Sequence, residues 1–187
     1  DDHPFMAPNG AMFCTKSRRE GVLPRMLSEL LATRQMLKRG IKAFSGHDDK
    51  VLRRVLEAQQ LALKLLANVT YGYTAASFSG RMPCSDLADA IVSSGKETLL
   101  WTKSVIEAHP GWHATVVYGD TDSVFVRLRG RTRGEAHLIG DEIAKHITER
   151  SPEGVVLKFE KVYKPCVLVT KKRYCGDMFE SASQENP

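Results

Sequence analysis

Several features that would set this sequence apart from ordinary globular proteins are absent. No apolar run approaches the roughly 18 residues of a membrane span. The first residues, DDHPFMAPNG, are acidic and contain prolines, which is unlike a signal peptide. The sequence has no internal repeat and no low-complexity segment.

Metal-binding spacings of cysteine and histidine are also absent. The four cysteines, Cys14, Cys84, Cys166 and Cys175, have no CxxC spacing, which argues against a zinc site or a disulfide framework. They are expected to be buried thiols in a reducing compartment. The six histidines show no ligand spacing and receive no role; they are His3, His47, His109, His113, His137 and His146.

The composition that is present is that of a globular protein with an excess of basic residues. The 187 residues, of which 42% are hydrophobic and 26% charged, can bury a sizeable core in one large or two small domains. The net charge of +5 has the sign expected for a nucleic-acid partner, but it does not establish one. Because the sequence does not start with Met, we expect a fragment or a processed start.

A first helix is predicted after an irregular start over residues 1–20. It begins near Pro24 and runs to residue 38 or 39, with Gly40 as its stop. One face is apolar at helical spacing and contains Leu23, Leu27, Leu30, Leu37 and Ile41. Arg34 falls within that face, either as a long side chain that reaches out of the seam or as a cation over a cleft beside Lys38. The helix alone favours the first interpretation.

A second helix is predicted over about Asp48–Ala67, after the polar turn SGHDDK. Its buried stripe is predicted to contain Val51, Val55, Ala62 and Leu66. On the opposite side, Lys64, Asn68 and Tyr71 stand at i, i+4 and i+7 if the helix persists that far.

Together the two helices would form an antiparallel αα-hairpin. Such a hairpin could place Arg34, Lys38 and Lys64 around one anionic ligand. The alternative is a solvated charged face, which is disfavoured because Asn and Tyr accompany the lysine.

The stretch VVYGDTDSVFV, Val116–Val126, predicts a β-hairpin with β-branched and aromatic arms around a tight turn. Asp120 and Asp122 lie at its tip. Side chains two apart in an extended segment leave from one face, so both carboxylates could point at one spot. Hard divalent ions such as Mg²⁺ suit such oxygen ligands and usually also hold substrate phosphates.

The other downstream elements complete an α+β architecture, with helices packed against an antiparallel sheet. A loop over Tyr71–Cys84 precedes a helix that begins with an N-cap at Ser85 and ends near Ala108. A helix over 134–150 uses Leu138, Ile143, Ala144 and Ile147 as its apolar positions, and two strands follow over 155–163 and 166–174. In the last strand Lys171 and Arg173 share one face, and Lys172 and Tyr174 share the other. These cations either discourage edge-to-edge pairing or hold phosphates, with Tyr174 as a stacking or packing surface.

Three motifs in order resemble those of family B DNA polymerases. LALKLLANVTYGYTAASFSG resembles the Lys-x-x-x-Asn-x-x-Tyr-Gly motif, VVYGDTDSVFV resembles the Tyr-Gly-Asp-Thr-Asp-Ser motif, and LVTKKRY resembles the Lys-Lys-Arg-Tyr primer-side motif. The resemblance covers about Asn9 to Phe179, and its wording is most similar to a translesion branch of the family. It implies a palm carrying a fingers αα-hairpin, divided into an N-terminal palm segment (1–20), the fingers (21–70) and the palm (71–187).

The resemblance also implies site residues, cofactors and partners. The dNTP would contact Arg34, Lys38, Lys64, Asn68 and Tyr71. Asp122 would bind both catalytic Mg²⁺ ions, for which Mn²⁺ could substitute, and Asp120 would be its weaker neighbour. Lys171, Lys172, Arg173 and Tyr174 would contact primer-template DNA. Accessory subunits and a nuclear location are expected as well.

Some parts of the family pattern find no match in these residues. The first catalytic aspartate of the family lies in an Asp-x-x-Ser-Leu-Tyr-Pro-type motif upstream of the fingers, and an iron–sulfur cluster would belong to a C-terminal module of the parent protein. The isolated chain is therefore expected to be inactive. Two alternatives stay open: a non-catalytic nucleic-acid-binding fragment, and another palm-type enzyme such as a nucleotidyl cyclase, although a cyclase needs no dNTP-gripping fingers.

Overall fold

The computed structural model describes residues 3–43, 50–76, 80, 82–152 and 154–186. In chain order its elements are β1 (Phe5–Met6), β2 (Met12–Phe13), α1 (Val22–Ala43), α2 (Lys50–Ala75), α3 (Ser85–Ala108), β3 (Ala114–Asp120), β4 (Ser123–Leu128), α4 (Arg133–Arg150), β5 (Val162–Thr170) and β6 (Arg173–Phe179). The contacts divide the chain into two compact units, Asp1–Ser94 and Gly95–Pro187. None of the described helices is long and apolar enough to cross a membrane.

The predicted mixture of helices and antiparallel strands is confirmed. Within the described residues the strands form three separate two-stranded ladders, β1–β2, β3–β4 and β5–β6, each of them antiparallel. The three-part division into an N-terminal palm segment, fingers and palm stays a prediction.

In the first unit, α1 and α2 pack against each other along a seam of half-buried side chains. On α1 the seam contains the predicted stripe together with Arg34. The predicted stop at Gly40 is wrong, because α1 continues to Ala43. A glycine inside a helix costs only about 1 kcal/mol, which the packing of the following Ile41 offsets.

The buried stripe predicted for α2 is wrong. Val51 is 72% exposed, Val55 46% and Leu66 53%. The seam side of α2 consists instead of Leu56, Gln60, Leu63, Ala67, Thr70 and Thr74. These residues alternate steps of four and three, about 3.6 positions on average, which is the period of one face of an α-helix.

The end of α2 lies further along the chain than predicted. The helix continues to Ala75, so the predicted loop begins too early. Thr74 is buried, and its hydroxyl donates to the Tyr71 carbonyl at 2.7 Å, while its own carbonyl accepts from the Cys84 amide at 3.0 Å. Most of the predicted SGHDDK turn, and residues 77–79 and 81 of the predicted loop, lie outside the described residues.

The helix predicted from Ser85 to Ala108 is confirmed as α3. Its first backbone bond runs from the Ala88 amide to the Cys84 carbonyl at 3.1 Å, so Cys84 rather than Ser85 occupies the capping position.

The core of the second unit consists of Ile106, Trp112, Ala114, Ile143 and Ile147. The sequence-predicted helix over 134–150 is present as α4, and two of its predicted apolar positions belong to this core. Leu138 does not, because it is 72% exposed. A reciprocal capping box begins α4, in which the Thr132 amide donates to Glu135 at 2.7 Å and the Glu135 amide donates to the Thr132 hydroxyl at 3.3 Å.

The strand predicted over 155–163 is mostly absent. Residues 155–161 pair with no strand in the described part of the chain, and they lie along α4 instead. The Thr148 hydroxyl donates to the Leu157 carbonyl at 3.1 Å and accepts from the Leu157 amide at 3.0 Å. A Cβ on Gly140 would lie 2.4 Å from the Phe159 ring, so the glycine leaves the space that the ring occupies.

The four cysteines are free and exposed, so the expectation of buried thiols is wrong. The Cys166 pKa is nevertheless raised, first by partial burial and then by the neighbouring Cys175. Both residues lie in the β5–β6 ladder, where most positions are exposed.

Candidate active site at two hairpin tips

The predicted aspartate pair lies at the tip of the β3–β4 hairpin. Asp120 pairs with Ser123, which leaves Thr121 and Asp122 as a two-residue turn. Thr121 has a φ of 52°, which is a rare conformation for a β-branched residue. The Asp122 amide and the Ser123 hydroxyl both donate to the Asp120 carbonyl. The same-face argument made from the sequence is wrong, because it requires extended backbone and the chain turns between the two carboxylates.

The tip is held in place because apolar residues of both strands, visible in the sequence, pack against the core. Val116, Val124 and Val126 pack against the core of the second unit. On β3 the register shifts between Val116 and Tyr118, and the Val116 amide donates to the Glu107 carboxylate on α3 at 3.1 Å. The turn at the tip is therefore held by strands that pack against the core.

The predicted phosphate-binding cations lie at a second hairpin tip, between β5 and β6. Thr170 pairs with Arg173, so Lys171 and Lys172 form the turn. The prediction that residues 171–174 occupy one strand with alternating faces is therefore wrong. Lys172 has a φ of 64°, which reverses the chain at that residue.

Lys172 joins the two tips. Its ammonium nitrogen lies 2.9 Å from Asp120 Oδ2, and its amide donates to the Tyr118 hydroxyl at 2.9 Å. Within the described part of the chain, Lys171 makes no ion pair or hydrogen bond with the first tip, and its side chain is exposed. Of the two adjacent lysines, one is thus paired with a predicted metal ligand.

This ion pair changes the charge behaviour of both partners. The pKa of Asp120 is lowered, first by the hydrogen bond from Lys172 and, less strongly, by the one that the Thr121 hydroxyl donates at 3.2 Å. The pKa of Lys172 is raised, first by its hydrogen bond to Asp120. Both groups are therefore charged across the neutral range.

Four aromatic rings pack between the same two hairpins. The Phe125 ring lies 5.6 Å from Tyr118, 5.9 Å from Tyr163 and 4.7 Å from Tyr174, measured between centroids. Tyr163 and Tyr174 also meet edge-on at 5.9 Å. Tyr174 is 43% exposed, so it packs on one side and leaves ring surface for another partner.

The donor set at the first tip fits a hard divalent cation. Mg²⁺ is usually held by one or two carboxylates, with waters and substrate phosphates completing its shell. Asp122 is exposed, and its carboxylate accepts no hydrogen bond from the described part of the chain. Within that part, no group of three or more His, Cys, Asp or Glu side chains could enclose an ion. The tip thus offers carboxylate ligands on one side of an ion but does not by itself surround the ion.

The predicted dNTP-binding residues lie in the first unit, on the α1–α2 hairpin. Because α2 persists to Ala75, Lys64, Asn68 and Tyr71 do stand on one exposed face, as the sequence predicted. Glu57 and Leu61 continue this face toward the start of α2, and there they line a surface depression with Lys38. The chain therefore presents Lys38 and Lys64 on the same side of the hairpin.

Arg34 differs from the other predicted dNTP contacts. It is half-buried in the seam, and its Nε has no hydrogen-bond partner. Gln60, on the seam side of α2, likewise leaves its Oε1 without a partner. The structure thus places Arg34 in the seam with a buried Nε, and the choice between the two interpretations of this residue stays a prediction.

Two groups of aromatic side chains were missed by the sequence reasoning, one between the hairpins and one in the core of the second unit. Tyr118 and Phe125 were treated only as strand formers, yet they connect the hairpins. No local signal identifies them, since their partners come from β5 and β6. The histidines given no role include His109 and His146, whose rings pack against the buried Trp112 at 3.7 Å and 5.1 Å.

Comparison with known proteins decides the family. The profile of DNA polymerase family B matches residues 2–187. The chain belongs to this family. It is 54% identical over 182 residues to the DNA polymerase zeta catalytic subunit of Drosophila melanogaster, covering 97% of this chain and 8% of that protein. The DNA polymerase delta catalytic subunit of Schizosaccharomyces pombe is 39% identical over 177 residues, covering 91% of this chain and 16% of that protein. The predicted resemblance to the family is thereby confirmed, with higher identity to the zeta protein.

A solved structure agrees with this assignment. The family B DNA polymerase from the archaeon Pyrobaculum calidifontis superimposes with a TM-score of 0.68 at 27% identity. The match covers 95% of this chain and 21% of the archaeal one. The chain therefore spans a small part of the length of the family B proteins that it resembles.

Proposed function

We propose that this chain forms the fingers and part of the palm of a template-directed DNA polymerase of the zeta type. Such an enzyme joins a primer 3′-hydroxyl to the α-phosphate of a dNTP and releases pyrophosphate. Family membership and 54% identity to a zeta catalytic subunit support the proposal. The observation that carries it is the β3–β4 tip, which presents the Asp122 carboxylate to solvent on a rigid hairpin.

Asp122 would hold the catalytic metals, with Asp120 as a weaker ligand. Two Mg²⁺ ions, for which Mn²⁺ could substitute, would lower the pKa of the primer hydroxyl and stabilise charge on the leaving oxygens. The contribution of the protein is to fix the carboxylates before the substrates arrive. The turn at Thr121 and the valine packing beneath it supply that rigidity.

The α1–α2 hairpin would bind the dNTP. Lys38 and Lys64 would neutralise the triphosphate, Asn68 would contact the incoming dNTP, and Tyr71 would lie beside the nascent base pair. Their common exposed side on the hairpin supports this assignment. Arg34 would act from within the seam, where it is half-buried and its Nε has no hydrogen-bond partner.

The β5–β6 tip would bind primer-template DNA. Lys171, Lys172 and Arg173 would contact phosphates, which position a duplex without reading its sequence. Tyr174 would supply the exposed part of its ring as a packing surface. We further propose that the activity is translesion synthesis in the nucleus, together with accessory subunits.

Primer extension by a chimeric enzyme tests the proposal. The matching segment of the Drosophila zeta catalytic subunit is replaced by this chain, and extension is measured with Mg²⁺ and dNTPs. We expect templated extension, and Asp122→Asn should reduce it at least about 100-fold, because losing a metal ligand removes several kcal/mol of charge stabilisation in the transition state. Asp120→Asn should be milder, and the exposed Asp141→Asn on α4 serves as the control.

Two outcomes would contradict the proposal. The first is equal, small effects of the Asp120 and Asp122 substitutions on extension. The second is a folded chimera that binds primer-template DNA but extends nothing, which would favour the non-catalytic nucleic-acid-binding alternative.

A further inference from the structure

Lys172 takes part in two of the proposed functions, metal binding at the first tip and DNA binding at the second. Its ammonium contacts Asp120, a proposed metal ligand, at 2.9 Å, and the same side chain is a proposed contact for a DNA phosphate. The Lys172 side chain is 64% exposed and that of Asp120 is 24% exposed, so solvent, ions and a ligand can all reach the pair.

The position of Lys172 is fixed by more than this ion pair. Its amide donates to the hydroxyl of Tyr118, which lies two residues before Asp120 on β3. Phe125 packs against both Tyr118 and Tyr174, and Tyr174 lies two residues after Lys172. Because the backbone on both sides is held, the ammonium returns to Asp120 whenever no stronger partner removes it.

An ammonium and a divalent cation cannot share one carboxylate without repelling each other. Like charges within about 4–6 Å disfavour one another. A metal at Asp120 therefore competes with Lys172 for the same oxygens. A DNA phosphate offers the ammonium another anion, and repulsion from a metal ion at Asp120 would favour the move to it.

We propose that Lys172 is an internal counterion of Asp120, released when DNA binds, so that DNA and divalent metal strengthen each other's binding. Without DNA, the ammonium occupies Asp120 and weakens metal binding. With DNA, the ammonium moves to a phosphate and frees the carboxylate. Linkage requires the converse as well: metal at Asp120 tightens DNA binding by the same factor. This inference rests on the proposed function, because it assumes that the first tip binds metal and the second binds DNA.

Mn²⁺ titration of the 187-residue chain tests the inference without any measurement of catalysis. Free Mn²⁺ is followed by electron paramagnetic resonance at low ionic strength, with circular dichroism to check that each variant is folded. Lys172→Met removes the competing ammonium, and Lys171→Met removes the same charge from the adjacent turn position. We expect Lys172→Met to tighten Mn²⁺ binding about two- to fivefold more than Lys171→Met, the range typical of an exposed ion pair. The extra effect should vanish when Asp120→Asn is present in both.

A short primer-template duplex supplies the second arm, after subtraction of the Mn²⁺ that the duplex binds alone. DNA should tighten Mn²⁺ binding to the unmodified chain and to Lys171→Met, and should do so less for Lys172→Met. If Lys172→Met weakens Mn²⁺ binding, or matches Lys171→Met in both arms, the counterion role is wrong while the metal site stands. If no Mn²⁺ binding depends on Asp122, the proposed metal site fails and this inference fails with it.

Discussion

At the scale of single residues, the charge of Asp120 depends on a partner from another hairpin. The aspartate pair could be found from the sequence, because a Gly-Asp-Thr-Asp turn between apolar arms is a local pattern. Lys172 could not be identified as its partner, since Tyr118 and Lys172, which bring the tips together, are 54 residues apart. The sequence therefore identified the two candidate metal-binding aspartates but not the ion pair between Asp120 and Lys172.

The pKa of Asp120 gives a direct test of this contact. Its pKa is lowered, so the interactions that favour the ionised form stabilise the fold above the unfolded-state pKa and are lost as pH falls through the folded-state pKa. The pKa of Lys172 is raised, so its stabilising contribution is lost only as pH rises through that raised value. The pair is complete between these two limits.

Lys172→Met should therefore raise the pKa of Asp120 toward its ordinary value, as measured by carboxyl NMR titration. Lys171→Met is the matched control and should raise it less, since Lys171 is the weakest of the contributors. Added salt should shrink the difference, because the pair is exposed. Equal shifts for the two variants would show that net charge, rather than the specific hydrogen bond, lowers the Asp120 pKa.

At the scale of elements, helices were predicted better than the faces they bury. α1 packs its predicted apolar stripe into the seam although it continues past its predicted stop, and α3 has the predicted bounds although Cys84 replaces Ser85 as its cap. On α2, apolar residues occupy two competing stripes. The stripe that packs against α1 also contains Gln60, Thr70 and Thr74. The more hydrophobic stripe lies outside the seam. Only the position of α1 decides between them.

Two leucines on α2 distinguish the observed seam from the predicted stripe. Leu63 is half-buried in the seam, whereas Leu66 is 53% exposed. Leu63→Ala should lower the free energy of unfolding by about 1–2 kcal/mol, less than for a fully buried leucine, because only part of its surface is covered. Leu66→Ala should change it by less than about 0.5 kcal/mol. Urea unfolding measures both, and the reverse order would support the stripe predicted from sequence.

The segment over 155–161 was predicted as part of a strand, but its contacts with α4 determine its path. Phe159 lies over Gly140, where a Cβ would come within 2.4 Å of the ring. Gly140→Ala should therefore lower the free energy of unfolding by about 1–3 kcal/mol, the cost typical of overpacking.

Gly134 on the same helix is the matched control for that substitution. Nothing lies within 4 Å of a Cβ built there, so Gly134→Ala should stabilise the chain by up to about 1 kcal/mol through helix propensity alone. Thermal unfolding of both variants gives the comparison. Stabilisation by Gly140→Ala would show that Phe159 does not lie over α4.

At the scale of the whole molecule, the sequence predicted the class of fold and the family better than the environment of the candidate site residues. The net charge of +5 only permitted a nucleic-acid partner, whereas three ordered motifs identified the family. The strand boundaries near the second tip could not be predicted, because VLVTKKRY carries no strong turn former. The reversal at Lys172 is fixed by tertiary contacts with β3 rather than by local preference.

The central claim is that the tip of β3–β4 is where this chain binds divalent metal. Paramagnetic line broadening tests it most directly, since substoichiometric Mn²⁺ broadens amide signals steeply with proximity and reports on every assigned residue at once. We predict that the amides of residues 119–123 broaden first, and that Asp122→Asn removes this broadening while Asp141→Asn leaves it intact. Broadening centred on another region, such as the His109–Trp112–His146 cluster, or broadening at the tip that survives Asp122→Asn, would contradict the account.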